Sequence, residues 1–307
     1  MSSMEASSTL RWIMITAVAP VSWGATYWVT REYLPAESPL WGAAVRALPA
    51  GLLLLAVARR RPTGAWWWRA AVLGALNFGG FFVLVYVAAQ LLPTSLAASV
   101  MALAPVTLAG LGWMLLGQRP TGAAVLGASL GIIGVVLVVG LSTTKVDPRG
   151  VAVSLSALLM SSLGAILTTR WRDDTPVVTS TAWQLTAGGA MLILAAVCVE
   201  GAPPAVAAPG VVAYTFVAVV ATAAAFLCWF AGLRHLAPAT VGTVGLLNPV
   251  TGIALGTLIA GETLTNAQAI GVALVLIGIA VGRGRVVAHR PQRGRAPRER
   301  ARREATC

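Results

Sequence analysis

The sequence predicts an all-α membrane protein: ten transmembrane helices arranged as two inverted five-helix repeats. Three observations carry that prediction. The first is composition. The 307 residues are 57% hydrophobic and only 10% charged, with a mean hydropathy of +0.80. A soluble domain carries about 25% charged residues. One globule cannot hide this much apolar surface, so the bilayer is the solvent. The second is duplication. Tyr86–Gly134 returns without a gap as Phe230–Gly278, with Pro105-Val106-Thr107 reappearing 144 residues later as Pro249-Val250-Thr251. At the same offset Leu111-Gly112, Gly117, Gly127, Leu130, Ile133 and Gly134 match Leu255-Gly256, Gly261, Gly271, Leu274, Ile277 and Gly278. A duplicated apolar block is the mark of a repeat-built membrane bundle. The third is the placement of the arginines, which fixes orientation.

A hydrocarbon core of about 30 Å needs roughly 20 apolar residues per helix. Charges and Pro/Gly breaks delimit ten such runs. Span 1, 12–30, lies between Arg11 and Arg31; span 2, 39–58, stops at Arg59-Arg60-Arg61. Span 3, 66–89, begins at three tryptophans, and span 4, 94–116, runs from Pro93 to Gly117. Span 5, 121–141, closes the first half. Spans 6 to 10 cover 149–169, 177–199, 210–232, 238–260 and 266–282. Short connections make neighbours antiparallel hairpins. The Ser-rich start with Glu5 does not read as a cleavable leader, because its apolar run continues too far.

Arginine and lysine accumulate on cytoplasmic ends. With the N-terminus inside, cytoplasmic segments hold nine basic residues and the tail after Gly282 another nine, against three outside (Arg31, Lys145, Arg149) and Arg46 within span 2. Both termini are therefore expected in the cytoplasm. Five spans per half is an odd number, so the second half enters the membrane upside down. The expected organisation is 1–11 cytoplasmic N-terminus, 12–141 first repeat, 149–282 second repeat and 283–307 basic disordered cytoplasmic tail. The near absence of lysine suggests a GC-rich bacterial genome, hence the bacterial cytoplasmic membrane.

The pattern resembles the EamA family of the drug/metabolite transporter superfamily. Trp23-Gly24 in span 1, Arg46 in span 2 and the central prolines Pro105 and Pro249 of spans 4 and 9 carry the match. So do the turns Gly117-Gln118-Arg119 and Gly261-Glu262-Thr263, each followed by a Gly-rich helix. The family often has Gly-Glu at both turns, and Gln118 departs from that. The resemblance implies ten helices, a central cavity, and export or exchange of small metabolites.

Candidate residues follow from the cost of polarity in lipid. Arg46 lies about seven residues inside span 2, roughly 10 Å deep at 1.5 Å per residue. A guanidinium there faces water or a partner. It reads either as a clamp for a substrate carboxylate or phosphate, or as a structural arginine on helix carbonyls. Pro105 and Pro249 sit mid-helix, where a missing N–H bends the chain or frees a carbonyl, for gating or for packing. Asn248 precedes Pro249 and is placed to bond substrate. Trp23, Phe81, Tyr86 and Trp229 supply aromatic walls, with Tyr27 as either wall or interface anchor. Asn77 and Gln184 are either cavity amides or interhelical glue. Trp66, Trp67 and Trp68 read as interface anchors.

Other classes recede. Cys198, Cys228 and Cys307 lack metal spacing, so no metal and no cofactor is expected. Nucleophile elbow, zinc-protease and Walker patterns are absent, so neither an enzyme nor an ATP-driven pump is expected. All ten acids fall at span ends, in loops or in tails, which favours facilitated diffusion or exchange over a buried proton relay. Glu262 remains the alternative coupling group if it faces a vestibule. The expected partners are a small-molecule substrate and anionic lipid headgroups at the arginine-rich tail, with no nucleic acid. Gly-rich spans 5 and 10 are expected to pack closely, and the family resemblance implies that they lie away from the pathway, where a homodimer contact would form. The competing reading is a non-transporting membrane scaffold or lipid-associated enzyme.

Overall fold

The computed structural model describes residues 3–117, 119–140, 146–235, 244–245 and 247–282. All regular elements among them are helical. Helix α1 runs Ser3–Tyr33, α2 Pro39–Ala58 and α3 Trp66–Gly74. The π-helical turn Ala75–Gly80 carries α3 directly into α4, Phe81–Leu91. Then come α5 (Thr94–Met101), α6 (Ala104–Leu116) and α7 (Gly122–Gly140). The remainder comprises α8 (Pro148–Arg170), α9 (Val177–Val199) and α10 (Ala208–Thr215), a second π segment Phe216–Ala224, and α11 (Ala225–His235). Two further helices follow, α12 (Leu247–Leu258) and α13 (Asn266–Gly282). The basic tail, Gln118, Lys145 and residues 238–243 and 246 of span 9 lie outside the described residues.

Among the described residues six helical stretches are long and apolar enough to cross a bilayer: Pro39–Ala58, Trp66–Leu91, Thr94–Leu116, Pro148–Arg170, Val177–Val199 and Ala208–Trp229. Val125–Val138, Leu247–Leu258 and Asn266–Gly278 are shorter apolar helices. The protein is thus an all-helical, multi-pass membrane protein. Helix α1 is long enough but more polar. Its Thr16, Ser22, Thr26 and Thr30 are buried. Three of these hydroxyls donate to the carbonyl four residues back: Thr16 to Trp12 at 2.7 Å, Ser22 to Val18 at 2.6 Å and Thr26 to Ser22 at 3.0 Å. Satisfied in this way, a hydroxyl row faces protein without an orphaned donor.

Glycines bring several helix pairs into backbone proximity, and two of these pairs show their relative direction. Helix α2 meets α9 with Gly51 on the Thr186 amide, Gly189 on Leu48, and the Leu40 and Trp41 amides on Glu200. Rising numbers in one helix meet falling numbers in the other, so the two run antiparallel. Helices α7 and α13 do the same, with Gly134 on Gly271 and Gly278 on Gly127. A Cβ at Gly134 would lie 2.5 Å from the Gly271 carbonyl oxygen, so only glycine allows this approach. Between α2, α9 and the π segments, Ala43, Ala44, Ala47, Ala50 and Leu54 pack with Phe78, Phe82 and Leu185 as one core.

Span 4 is divided where the sequence suggests one continuous helix. Pro105 has no N–H for the Met101 carbonyl four residues back. The chain tightens instead, Leu103 N–H reaching the Val100 carbonyl at 3.1 Å, and α6 starts afresh at Ala104. Pro105 therefore stands in the first turn of a new segment, where an N–H is not needed. Pro249 likewise stands in the first turn of α12, and the Asn248 N–H takes the Gly245 carbonyl at 3.2 Å.

Carboxylates tie the helix ends. Glu262 accepts from the Thr94 N–H at 2.6 Å, the Ser95 N–H at 3.0 Å and the Ser95 hydroxyl at 2.5 Å, capping α5. Glu200 caps α2 through Leu40 and Trp41 at 2.7 and 2.9 Å. Such anions satisfy orphan amides and complement the helix dipole. Of the three clustered tryptophans, Trp67 and Trp68 are exposed, as interface anchors are. Trp66 is buried on Trp183, and its indole N–H donates to Asp173 at 2.7 Å.

Candidate functional site

Residues from α1, α2, α4, the end of α5, α11 and α12 converge on one cavity of about 170 Å3. Trp23, Thr26, Tyr27, Arg46, Phe81, Phe82, Val85, Met101, Phe226 and Asn248 line it. One water needs roughly 10–15 Å3 of such space, so the cavity admits a small organic molecule. Its walls are aromatic. Trp23 sits 5.5 Å from Phe226 and 5.4 Å from Trp229, both tilted, and Phe78 packs edge-on against Phe82 and Phe226 at 5.5 and 5.4 Å.

Arg46 is the cavity's charged group, with 8% of its surface exposed. Its Nε donates to Thr222 Oγ1 at 3.0 Å, and its guanidinium carbon lies 4.1 Å from the centre of the Phe82 ring. The Thr222 hydroxyl donates in turn to the Val217 carbonyl at 2.7 Å, five residues back. That spacing is the π-helical register. The widened turn fixes the hydroxyl so that its lone pair faces Arg46. Among the described residues no carboxylate pairs with this arginine. The desolvated cation–π contact contributes about 2 kcal/mol and the charged hydrogen bond about 1.5–3 kcal/mol. Together these only match the several kcal/mol lost on desolvating the ion. The Asn248 Oδ1 is also buried, without a hydrogen-bond partner among the described residues.

Of the residues singled out from sequence, Trp23, Arg46, Phe81 and Asn248 line this cavity, and Trp229 backs Trp23. Tyr86 lies beside it, next to a void of about 10 Å3 shared with Arg46; its hydroxyl donates to the Pro35 carbonyl at 2.8 Å. Asn77 and Gln184 lie elsewhere. The Asn77 amide donates to Gln184 Oε1 at 2.9 Å and to Thr168 Oγ1 at 3.3 Å, with Gly164 against its side chain. These three groups join α8, α9 and the first π segment.

Sequence reasoning missed Thr26, Phe82, Val85, Met101 and Phe226, and left Tyr27 between two readings. One signal was available: Phe82 and Phe226 stand 144 residues apart, the offset of the repeat. Thr26 lies on the hydroxyl row of α1.

A multi-pass helical bundle enclosing an aromatic cavity with a buried cation and an unpaired amide has the form of a small-molecule membrane transporter. The chain belongs to the EamA-like transporter family, which matches residues 10–140 and again 148–282. It is 35% identical over 265 residues to Protein PecM of Dickeya dadantii (strain 3937), covering 86% of this chain and 89% of that one. It is 25% identical to the "Uncharacterized inner membrane transporter YedA" of Escherichia coli (strain K12), over 84% of this chain and 86% of the other. It is also 25% identical to the "Probable amino-acid metabolite efflux pump" of Salmonella typhimurium (strain LT2), over 84% and 90% of the two chains. A solved crystal structure at 20% identity shares the fold with a TM-score of 0.64, over 88% of this chain and 96% of that one.

Proposed function

We propose that this protein is a secondary transporter that exports or exchanges small metabolites or amphipathic compounds across the bacterial cytoplasmic membrane by alternating access. The observation that carries the mechanism is the composition of the cavity. Trp23, Tyr27, Arg46, Phe81 and Met101 come from the first sequence repeat, Phe226 and Asn248 from the second. A site shared between repeats changes its access when one set of helices rocks against the other. Spans 3, 4, 8 and 9 are the moving set, with the breaks before Pro105 and Pro249 as their pivots.

Ten spans in two inverted repeats complete the reading. The antiparallel packing of α2 on α9 and of α7 on α13 supports inversion, since each pair joins corresponding spans of the two halves. End contacts support the alternation of sides. Residues assigned outside touch one another: Glu200 with Leu40, Glu262 with Thr94, and Gln90 with Leu34. Residues assigned inside do likewise: Asp173 with Trp66, and Trp12 stacked on His235. Both termini are then cytoplasmic, and the arginine-rich tail lies against anionic headgroups.

The family and its relatives favour a carrier over a scaffold or an enzyme. Glu262, the coupling alternative, is committed to backbone amides, which favours exchange over a proton relay. The test is flux in proteoliposomes against a panel of metabolites and amphipathic drugs, with and without a pH gradient. Saturable flux that ignores the gradient is expected. A folded protein that moves nothing on a broad panel sinks the transporter reading; strictly proton-driven uphill movement sinks the exchange mechanism.

A further inference from the structure

The geometry points to a small organic monoanion as the cavity's ligand: a carboxylate on Arg46, an apolar or aromatic body on the Trp23–Phe226 wall, and an N–H or O–H at Asn248. This inference rests on the transport reading above and narrows it to a chemical class. Three features on different helices demand these three parts. Arg46 brings a positive charge that meets no carboxylate among the described residues. Its Nε is held by Thr222 at 3.0 Å and its face by Phe82 at 4.1 Å. The guanidinium is thereby fixed in orientation, and Nε is the one of its nitrogens with a protein hydrogen bond among the described residues. Two nitrogens in a planar fork remain, the arrangement that grips a carboxylate.

Asn248 gives the second part. Its Oδ1 is buried and meets no hydrogen-bond partner among the described residues, and an amide oxygen accepts only. A ligand group that satisfies this oxygen is a donor. Trp23, Phe226, Phe81 and Met101 fill the remaining wall and offer ring faces and a polarizable sulfur to an apolar body. The same pocket rejects amines. A cationic ligand meets Arg46 with like charge, and none of the lining residues carries a carboxylate.

The test uses the full chain purified in detergent, with equilibrium dialysis of three radiolabelled probes. These are 3-phenyllactate (carboxylate, hydroxyl, ring), 3-phenylpropionate (no hydroxyl) and phenethylamine (cation, no carboxylate). The expected order is phenyllactate tightest, phenylpropionate weaker, phenethylamine not bound. Arg46→Gln is expected to weaken phenyllactate at least about tenfold, with Arg46→Lys restoring part of it. Asn248→Ala is expected to erase the difference between phenyllactate and phenylpropionate. A merely structural asparagine would weaken both alike. Phenethylamine binding above phenyllactate, wild-type affinity in Arg46→Gln, or no saturable carboxylate binding to folded protein overturns the inference. If Arg46→Gln does not fold, the ranking of the three probes on the wild type decides. Flux in vesicles separates this failure from failure of the transport reading. Movement of neutral compounds without anion binding leaves the carrier and removes the anion site. Anion binding without flux of any compound leaves the site and removes the carrier.

Discussion

The two halves make the same cross-contact with different chemistry. In one, α2 sends Arg46 to Thr222 in the π segment Phe216–Ala224; in the other, α9 sends Gln184 to Asn77 in the π segment Ala75–Gly80. The first contact opens on the 170 Å3 cavity, and the second is closed by Thr168 and by Gly164 pressed on Asn77. A repeated scaffold can thus turn one copy of a contact into a site and the other into a brace. The change is one of residue: an amide pair satisfies itself, while an arginine with no carboxylate among the described residues keeps N–H donors to spare.

Exchanging the two behaviours gives the sharpest test. Arg46→Ala is expected to cut flux about thirtyfold or more, the ~2 kcal/mol that truncating one partner of a buried charge contact costs, with little change in melting temperature. Gln184→Leu is expected to do the reverse, losing about 1–3 kcal/mol of stability by orphaning the Asn77 amide, with flux per folded molecule held. Denaturant unfolding in detergent measures it, and Asn77→Leu on top of Gln184→Leu should recover part of the loss. If both single variants lose flux and stability together, the two contacts are alike and the distinction fails. A smaller effect is expected from Thr222→Val. It keeps the charge but releases Nε, for a loss of about 1 kcal/mol, near fivefold in flux.

The smallest effect lies at a membrane face. Hydrogen bonds from Thr175, and then the Trp66 indole and the Arg69 cation, hold the Asp173 carboxyl below the usual carboxylate range. A lowered folded-state value means that the contribution is complete above the unfolded carboxylate value of 3.8 and fades as pH falls through the lower folded value. Asp173→Asn should therefore show its small loss of stability at neutral pH, flatten the acid end of the stability–pH curve and converge with the wild type as pH falls. Equal acid slopes in the two proteins would show that this loop contact is idle.

Spans 7 and 10 coincide residue for residue with α9 and α13, because Pro176, Glu200 and Asn266 punctuate them in the sequence. Arg46 stands out as a lone cation in an apolar run. The interruption at Ala102–Leu103 was not legible: Pro105 announces a disturbance, but bending and restarting look alike in a uniformly apolar string. The two π segments leave no trace either, since a widened turn among Ala, Val and Phe alters no pattern. Phe82, Val85 and Met101 escaped for the same reason, as helices apolar on all sides do not reveal which face is inward. Whether Asn77 and Gln184 serve a cavity or each other depends on what lies opposite, which spacing within one helix does not encode.

The glycine seam between α7 and α13 has a practical consequence. Where main chain lies on main chain, no side chain remains to loosen, so this pair is a fixed reference against which displacement of the other helices can be gauged. Spectroscopic reporters anchored on its lipid-facing residues, Ile132 and Ile277 among them, should stay still while partners on α4 or α12 shift.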